Sequence, residues 1–332
     1  MAKDKSTCCE KFKTVIGGQA LIEGILMRGP EKEAIVCRKS DGLDLDVKPR
    51  KTRRKHSPLN WFLIRGVANF FDAQVNGIRA LMHSADLSEE FEEESTSKFD
   101  QWLEKKLGNE RFQKWLVGSA VALGLVMSVG LFFLLPMILC DFLEPWIGSG
   151  IGRNLVEGLV RIILFITYMV LVSRMKDMRR VFSYHGAEHK TIRCYEAGLP
   201  LTVENVRKQS RMHPRCGTSF LLVVMVLSIL VFSLTSELFL MVIPGLAAMK
   251  GTFLFRLIMI VLKLAMLPVV VAFSYEINRF VGRHDNWFTR IIMAPGMWFQ
   301  HFTTNEPDDS MIEVGIAALE AVIPEKEGAD RW

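Results

Sequence analysis

The amino-acid sequence predicts a mainly α-helical, multi-pass membrane protein with about four transmembrane helices and a small β-rich unit at its N-terminus. The first observation is compositional: hydrophobic residues make up 50% of the 332 residues, yet charged residues still reach 23%. These two fractions are compatible because the apolar residues lie in four long blocks and most charges lie between them. The second observation is that lysine and arginine cluster on alternate connections between the blocks.

The N-terminal region is predicted to be cytoplasmic. Its opening residues, MAKDKSTCCEKFK, contain no apolar stretch and no cleavage pattern, so we expect no secretory signal peptide. Six irregularly spaced cysteines predict no disulfide framework, and free thiols are favoured over lipid modification for Cys8 and Cys9. Residues 15–47 contain short alternating runs with turn signals at Gly29 and Asp41, which predict the β-rich unit.

Three segments precede the first apolar block. Residues 48–55 are basic, and a basic run near a membrane predicts contact with anionic lipid rather than nucleic acid. Residues 61–82 are apolar but interrupted by charges, which favours an interfacial or re-entrant amphipathic helix over a fifth span. Residues 86–94 are acidic and predict a solvated linker.

Four apolar blocks predict spanning helices, because about 20 apolar residues cross the hydrocarbon core of a bilayer. The blocks cover residues 115–140, 155–173, 219–243 and 252–274. Pro136 predicts a kink near the end of the first block. Lys263 lies in the middle of the fourth block, where a charge is costly, so we expect it to snorkel or to pair with Glu237 of the third block.

The distribution of positive charge predicts the orientation of the spans. Ten lysine and arginine residues lie between positions 174 and 215, whereas residues 141–154 contain only Arg153 and residues 245–251 only Lys250. Four spans with both termini and the long central connection in the cytoplasm agree with the charge of every connection.

These segments divide the chain into four expected regions. Residues 1–58 form the cytoplasmic β-rich unit, and residues 59–114 form the interfacial helix and the acidic linker. Residues 115–275 form a four-helix membrane domain with a cytoplasmic connection at 174–216, and residues 276–332 form a cytoplasmic C-terminal segment.

The central connection contains the string YHGAEHK, with His185, Glu188 and His189. On a helix, two histidines four residues apart lie on one face, so their imidazoles can bind one metal ion. Glu188 lies between them and is a candidate general base. The H-x-x-E-H spacing is that of the inverted zinc-hydrolase motif, although such a cluster can also be an ordinary part of a helix surface.

A second cluster, HPRCGT, places His213 and Cys216 just before the third block, where antiparallel spans would bring it close to the first cluster. Two site geometries are open. In a closed, structural site, His213 and Cys216 complete the ligand set of His185 and His189. In an open, catalytic site, a carboxylate such as Glu196 is the third ligand and the fourth position is left for water. The open form is slightly favoured, and zinc is the favoured divalent metal.

An acidic turn, TTNEPDD, lies near the C-terminus. Its carboxylates are suited to bind a hard cation, but capping of the following helix at residues 310–322 is the favoured interpretation. Tyr275 and Glu276, at the cytoplasmic end of the fourth block, are further candidate ligands, and Gln19 and Glu23 are weaker ones.

The chain resembles the YqhQ-like family of bacterial membrane proteins, whose shared domain of unknown function is numbered 1385. The resemblance rests on GGQALIEGILMRGP, on YHGAEHKTIRCYEAGLPLTVENVRK with HPRCGTSF, and on YEINR, TTNEPDD and MIEVGIAAL, in that order along the chain. It implies a metal-dependent enzyme of the bacterial cytoplasmic membrane. By position, it implies a site at His185, Glu188, His189, His213 and Cys216.

The leading hypothesis is therefore a metal site at the cytoplasmic face, in a zinc-dependent hydrolase that acts on a membrane peptide or a lipid-linked substrate. A non-enzymatic scaffold or assembly factor with a structural metal is one alternative. A transporter that uses Lys263, Arg256 and Glu237 is another. The bilayer is the expected partner, a second membrane protein or a second copy of the chain is compatible with the sequence, and no nucleic acid is expected.

Overall fold

A computed structural model describes residues 12–50, 57–88, 109–148, 150–284, 286–326 and 328–331. The predictions for Cys8 and Cys9, for the basic residues 51–55 and for the acidic residues 89–94 lie outside this described part of the chain. In chain order the helices are α1 (Ile64–Leu87), α2 (Asn109–Val129), α3 (Leu135–Ile147), α4 (Ile151–Val172), α5 (Lys176–Glu196), α6 (Val203–Arg207), α7 (Gly217–Val242), α8 (Phe253–Arg283), α9 (Trp287–Thr303) and α10 (Asp309–Glu320).

The chain divides into two compact units. The first unit comprises Met1–Glu89, Met169–Val224 and Pro268–Trp332. The second unit comprises Glu90–Tyr168 and Met225–Leu267.

The first unit contains a four-stranded antiparallel sheet in sequential order, which confirms the predicted β-rich unit. Its strands are β1 (Gly17–Leu21), β2 (Gly24–Arg28), β3 (Lys32–Lys39) and β4 (Gly42–Pro49). Alternate side chains of β2 and β3 are directed to one face, as the period of a strand requires, and this face packs against α5 and α10. The shared core contains Ile25, Met27, Val36, Tyr184, Val314 and Leu319.

Among the described residues, four helical segments are long and apolar enough to cross a membrane. They are Gly118–Ile147, Ile151–Val172, Gly217–Val242 and Phe253–Arg283. Their exposed side chains are largely apolar, as a lipid environment requires, and include Leu125, Phe142, Leu159, Leu234 and Val261. The prediction of a mainly helical protein with four spans is confirmed.

The first span is interrupted where Pro136 predicted a kink. A π-helical segment, Gly130–Leu134, separates α2 from α3, directly before this proline. Proline has no N–H to donate to the carbonyl one α-helical turn earlier, which is that of Phe132. The guanidinium of Arg161 on α4 donates to this carbonyl instead, with Nε 2.7 Å from the oxygen. A polar side chain thus donates to a backbone carbonyl that Pro136 cannot serve.

The expectation for Lys263 is wrong. Its Nζ donates to Glu157 of α4 at 2.5 Å, rather than snorkelling or pairing with Glu237. Both side chains of this pair are almost fully buried. The physical reason is that Glu157 is 2% exposed, and a carboxylate removed from water requires close cations. Glu237 instead accepts a long contact from the Asn154 amide at 3.4 Å.

Candidate metal centre

The two histidines of the H-x-x-E-H string lie on one face of α5. Their ring centroids are 4.3 Å apart, as expected for residues one helical turn apart. His189 is buried and His185 is partly exposed. Helix α5 thus directs two imidazoles to the same point.

Cys216, which lies immediately before α7, completes this group. Its Sγ is 3.2 Å from Nε2 of His185. One ligand atom from each of His185, His189 and Cys216 lies within 4.8 Å of the others. Zinc bonds of about 2.0 Å to nitrogen and about 2.3 Å to sulfur would place ligand atoms roughly 3.5 Å apart. The spacing of the three side chains therefore suits a tetrahedral metal.

The backbone orients both imidazole rings. Nδ1 of His185 donates to the carbonyl oxygen of Thr303 at 2.7 Å. Nδ1 of His189 donates to the carbonyl oxygen of Arg211 at 2.6 Å. A carbonyl only accepts, so each Nδ1 must carry the proton and each Nε2 presents a lone pair. A metal-bound histidine usually donates its other ring N–H to a carbonyl or carboxylate in this way.

The two Nε2 lone pairs of His185 and His189 outnumber the protons that neighbouring groups can donate to them. Nε2 of His189 is buried and has no hydrogen-bond partner in the part of the chain that the structure describes. A thiol carries a single proton, so Cys216 can satisfy at most one of the two neighbouring Nε2 atoms. An unpaired buried acceptor costs about 1–3 kcal/mol. A cation shared by the three side chains would remove this cost.

The electrostatic environment favours the ligand forms of these groups. Burial lowers the pKa of His189 to about 4, so its imidazole is neutral at pH 7. Burial alone would raise the pKa of Cys216, and contacts from the hydroxyl and amide of Thr218 act against it and favour a lower pKa. A lowered thiol pKa favours the thiolate, the form that binds metals.

Glu188 is buried beside the three ligands. Its Oε1 accepts from the amide of Gly18 on β1 at 3.0 Å. Its Oε2 is buried without a hydrogen-bond partner among the described residues. Burial raises the pKa of Glu188 to about 7, with His185 opposing the increase and Cys216 adding to it. The free oxygen can accept a proton or a further ligand.

Gly18 permits this contact because it has no side chain. A Cβ at this position would lie 2.7 Å from the carbonyl oxygen of Leu26 and 3.0 Å from Cδ of Glu188. Both separations are too short for any other residue without displacement of the neighbours. The glycine-rich string of β1 therefore contributes to the environment of Glu188.

Two further predicted ligands, Glu196 and His213, lie outside the group of converging ligand atoms. The amide of Arg215 donates to Nδ1 of His213 at 3.3 Å, so the proton is on Nε2, which donates to Glu196 at 3.1 Å. Burial, and then the charge of Arg215, lower the pKa of His213 well below its ordinary value. Glu196 also accepts from the amide of Thr14 at 2.9 Å. Both residues thus have hydrogen-bond partners of their own, and their role as ligands stays a prediction.

The TTNEPDD segment caps α10 and packs against the helix that carries the two histidines. Asp308 caps α10 by accepting from the amide of Met311 at 3.0 Å, which confirms the capping interpretation of the acidic turn. Asn305 lies against Gly186, where a Cβ would be only 2.0 Å from its carbonyl oxygen. Thr303, two residues before Asn305, has its carbonyl oxygen 2.7 Å from Nδ1 of His185.

The comparisons with known proteins agree with the motifs. A family model described as "Protein of unknown function (DUF1385)" matches residues 61–325. The chain belongs to the DUF1385 family. The "Uncharacterized protein YqhQ" of Bacillus subtilis (strain 168) is 32% identical over 320 residues, which cover 94% of this chain and 93% of the relative. No solved structure matches the chain. The resemblance found from the motifs is thus confirmed.

The remaining candidate ligands of this DUF1385 chain have structural partners. Glu23 accepts from Arg180 and from the Tyr184 hydroxyl, the latter at 3.0 Å. Glu276 binds the guanidinium of Arg65 on α1 through both of its oxygens. Tyr275 accepts from Asn69 at 2.8 Å, and Gln19 lies against Gly77 of α1.

The sequence did not indicate the groups that orient the DUF1385 histidines. Backbone carbonyls carry no side-chain signature, so Thr303 and Arg211 could not be recognised as their partners. Gln300 is a further case. Its amide accepts from the backbone N–H of His213 and donates to the carbonyl of the same residue, both at 2.8 Å. The signal available in the sequence was a glutamine among the apolar residues that precede TTNEPDD.

Proposed function

We propose that this chain is a bacterial cytoplasmic-membrane protein that binds a divalent metal, most suitably zinc, through His185, His189 and Cys216. We propose further that the site serves a hydrolase. The observation that carries the proposal is the convergence of two unprotonated imidazole nitrogens on a thiol, with each opposite nitrogen donating to a carbonyl. Three protein ligands leave one tetrahedral position for water or substrate, as in catalytic zinc sites.

The residues of the chain have distinct expected roles. When bound, the metal would supply Lewis acidity toward water or a substrate oxygen. Glu188 would accept and return the proton through its free Oε2, while the Gly18 amide holds Oε1. The carbonyls of Thr303 and Arg211 would fix the imidazole rings throughout the reaction.

The location of the site supports a substrate from the membrane. Cys216 directly precedes the span that begins at Gly217, so a membrane peptide or a lipid-linked molecule can reach this boundary. The basic connection between positions 174 and 215 supports a cytoplasmic location for the site and both termini.

The metal content of the purified chain tests the ligand set. We expect about one zinc per chain in the wild type and loss of that zinc in His185→Ala, His189→Ala and Cys216→Ala. His301→Ala is the matched control, because His301 is exposed and bonds only to the carbonyl of Trp298 among the described contacts. Well-folded wild type without metal, even after zinc is supplied, would exclude the proposal.

A structural metal in a scaffold is the second candidate, and the burial of His189 and Cys216 favours it. The variant Glu188→Gln separates the two functions, because it preserves the shape of the side chain but cannot accept a proton. For a hydrolase, mass spectrometry of membrane extracts should show the same uncleaved molecules accumulating in Glu188→Gln and His185→Ala cells. For a scaffold, extracts of Glu188→Gln cells should match the wild type.

A further inference from the structure

Six charged side chains form a continuous network within the spans of the second unit. Asp141 binds Arg153 at 2.5 Å and Arg256 at 2.7 Å. Glu157 binds Arg161 at 2.9 Å and Lys263 at 2.5 Å. Arg153 also lies 3.9 Å from Glu157 and so connects the two halves. Among these described residues, two carboxylates therefore face four cations.

A cavity of about 300 Å³ lies beside this network. Three of the four cations line it, namely Arg153, Arg256 and Lys263. Ser236 also lines it, and the Ser236 hydroxyl is buried without a hydrogen-bond partner among the described residues. Cations and an unused hydroxyl donor therefore meet in one partly open cavity within the second unit.

The charge balance of the cavity remains positive when its other charged groups are counted. Glu237 lines the cavity as well, so the network and the lining together comprise four cations and three carboxylates. Arg161, Lys263 and Glu157 are buried, and the other four are partly exposed. Glu144 and Lys250 are exposed at its edge and cancel each other. An excess cation inside membrane-spanning segments is costly without a counter-charge. Arg153, Arg161 and Arg256 do not release a proton to remove it, and a bound anion would stabilise the protonated form of Lys263.

We propose that this cavity binds a phosphate group, supplied by a lipid headgroup or by a soluble phosphate. Arginine presents its donors in a planar fork that matches the oxygens of a phosphate. Arg153, Arg256 and Lys263 provide the positive charge, and Ser236 provides an additional donor. The volume is within the range of small-molecule sites. The site is independent of the metal centre, which lies in the other unit.

Thermal unfolding of the purified full chain, followed by tryptophan fluorescence, tests this proposal in two arms. The first arm titrates inorganic phosphate against sodium chloride of equal ionic strength. The second arm compares vesicles of phosphatidylglycerol with vesicles of a galactolipid that has no phosphate. A saturable increase in unfolding temperature in the first arm identifies a soluble ligand, and an increase only with phosphatidylglycerol identifies a lipid headgroup.

The variants decide whether the response arises in this cavity. Arg256→Gln should raise the phosphate or lipid concentration needed for half of the maximal temperature increase at least tenfold. Ser236→Ala should raise the same concentration several-fold. Ser236→Ala removes an unpartnered buried hydroxyl, which should leave the unliganded fold intact, so it remains informative if Arg256→Gln does not fold. The matched control is Arg174→Gln, which removes an exposed cation of the first unit. No saturable increase in either arm, or an undiminished response in Ser236→Ala, would overturn the proposal.

Discussion

The orientation of side chains by backbone carbonyls is the main feature of the site at the scale of single residues. His185 and His189 each donate one ring proton to a carbonyl, so the opposite nitrogen of each ring is available to a ligand. Their orientation depends on the positions of Thr303 and Arg211, which lie far along the chain. Changes in those segments should therefore affect the centre even though their side chains are not ligands.

Gly18 offers a direct test of the contact between β1 and Glu188. Gly18→Ala places a methyl group against the Leu26 carbonyl and the Glu188 carboxyl group. We expect a loss of about 1–3 kcal/mol in the free energy of unfolding, the usual cost of overpacking, together with weaker retention of metal. Chemical denaturation of the purified chain measures the first effect, and metal analysis measures the second.

Gly17→Ala is the matched control for this prediction. It makes the same chemical change one position earlier, where an added Cβ meets nothing within 4 Å. We expect the unfolding free energy and metal content of Gly17→Ala to remain near those of the wild type. Equal stability of the Gly17 and Gly18 variants would show that β1 does not pack on Glu188 as described.

The sequence predicted the local part of the site better than the distant part. The helical spacing of His185 and His189 was sufficient to predict that their rings share a face, because both lie on one regular helix. Which distant groups join them depends on tertiary packing. Sequence therefore left Glu196, His213 and Cys216 as alternatives, and the structure brings Cys216 to the two histidines.

At the scale of elements, two helices of the first unit expose apolar faces. Helix α1 exposes Ile64, Phe71, Val75, Ile78 and Met82 at helical spacing. Helix α9 exposes a similar series, namely Trp287, Phe288, Ile291 and Trp298. Tryptophan is enriched where proteins meet the membrane interface. We therefore expect both helices to lie in the interfacial layer, as the sequence predicted for residues 61–82.

The depth of α9 can be measured with its own tryptophans. In a variant that keeps Trp298 as its sole tryptophan, emission should be quenched by lipids brominated near the glycerol backbone. The physical reason is that half of this side chain is exposed on an apolar helix face. Strong quenching by aqueous iodide, with none by the brominated lipids, would contradict an interfacial position for α9.

The elements themselves were largely predictable, and their exceptions have physical causes. Uninterrupted apolar blocks predicted the four spans because a bilayer requires length and apolarity of any helix that crosses it. Helix α9 was missed within the expected cytoplasmic segment at 276–332, since its apolar residues are mixed with polar ones. The partner of Lys263 was predicted wrongly because Glu157 and Glu237 are both glutamates within apolar blocks. The sequence alone does not show which of them faces Lys263.

At the scale of the whole molecule, the chain has two units with different chemistry. The first unit contains the sheet, the histidines and Cys216, and the second contains the ion network around Asp141 and Glu157. The positive charge between positions 174 and 215 is the basis for our proposed orientation. This division is compatible with a metal centre in the first unit and a separate phosphate site in the second.

Reporter fusions test the proposed orientation. Green fluorescent protein fused to the C-terminus should fluoresce, and alkaline phosphatase at the same position should be inactive, because the proposed C-terminus is cytoplasmic. A fusion after Lys250, in the short connection between α7 and α8, should show the opposite pattern. Active phosphatase at the C-terminus would reverse the topology and place the metal centre outside the cell.

The most direct test of the central claim is zinc-edge X-ray absorption of the purified, zinc-loaded chain. The account predicts two nitrogen ligands at about 2.0 Å and one sulfur ligand at about 2.3 Å. The sulfur contribution should disappear in Cys216→Ser. A first shell without sulfur in the wild type, or with more than one sulfur, would contradict a centre formed by His185, His189 and Cys216.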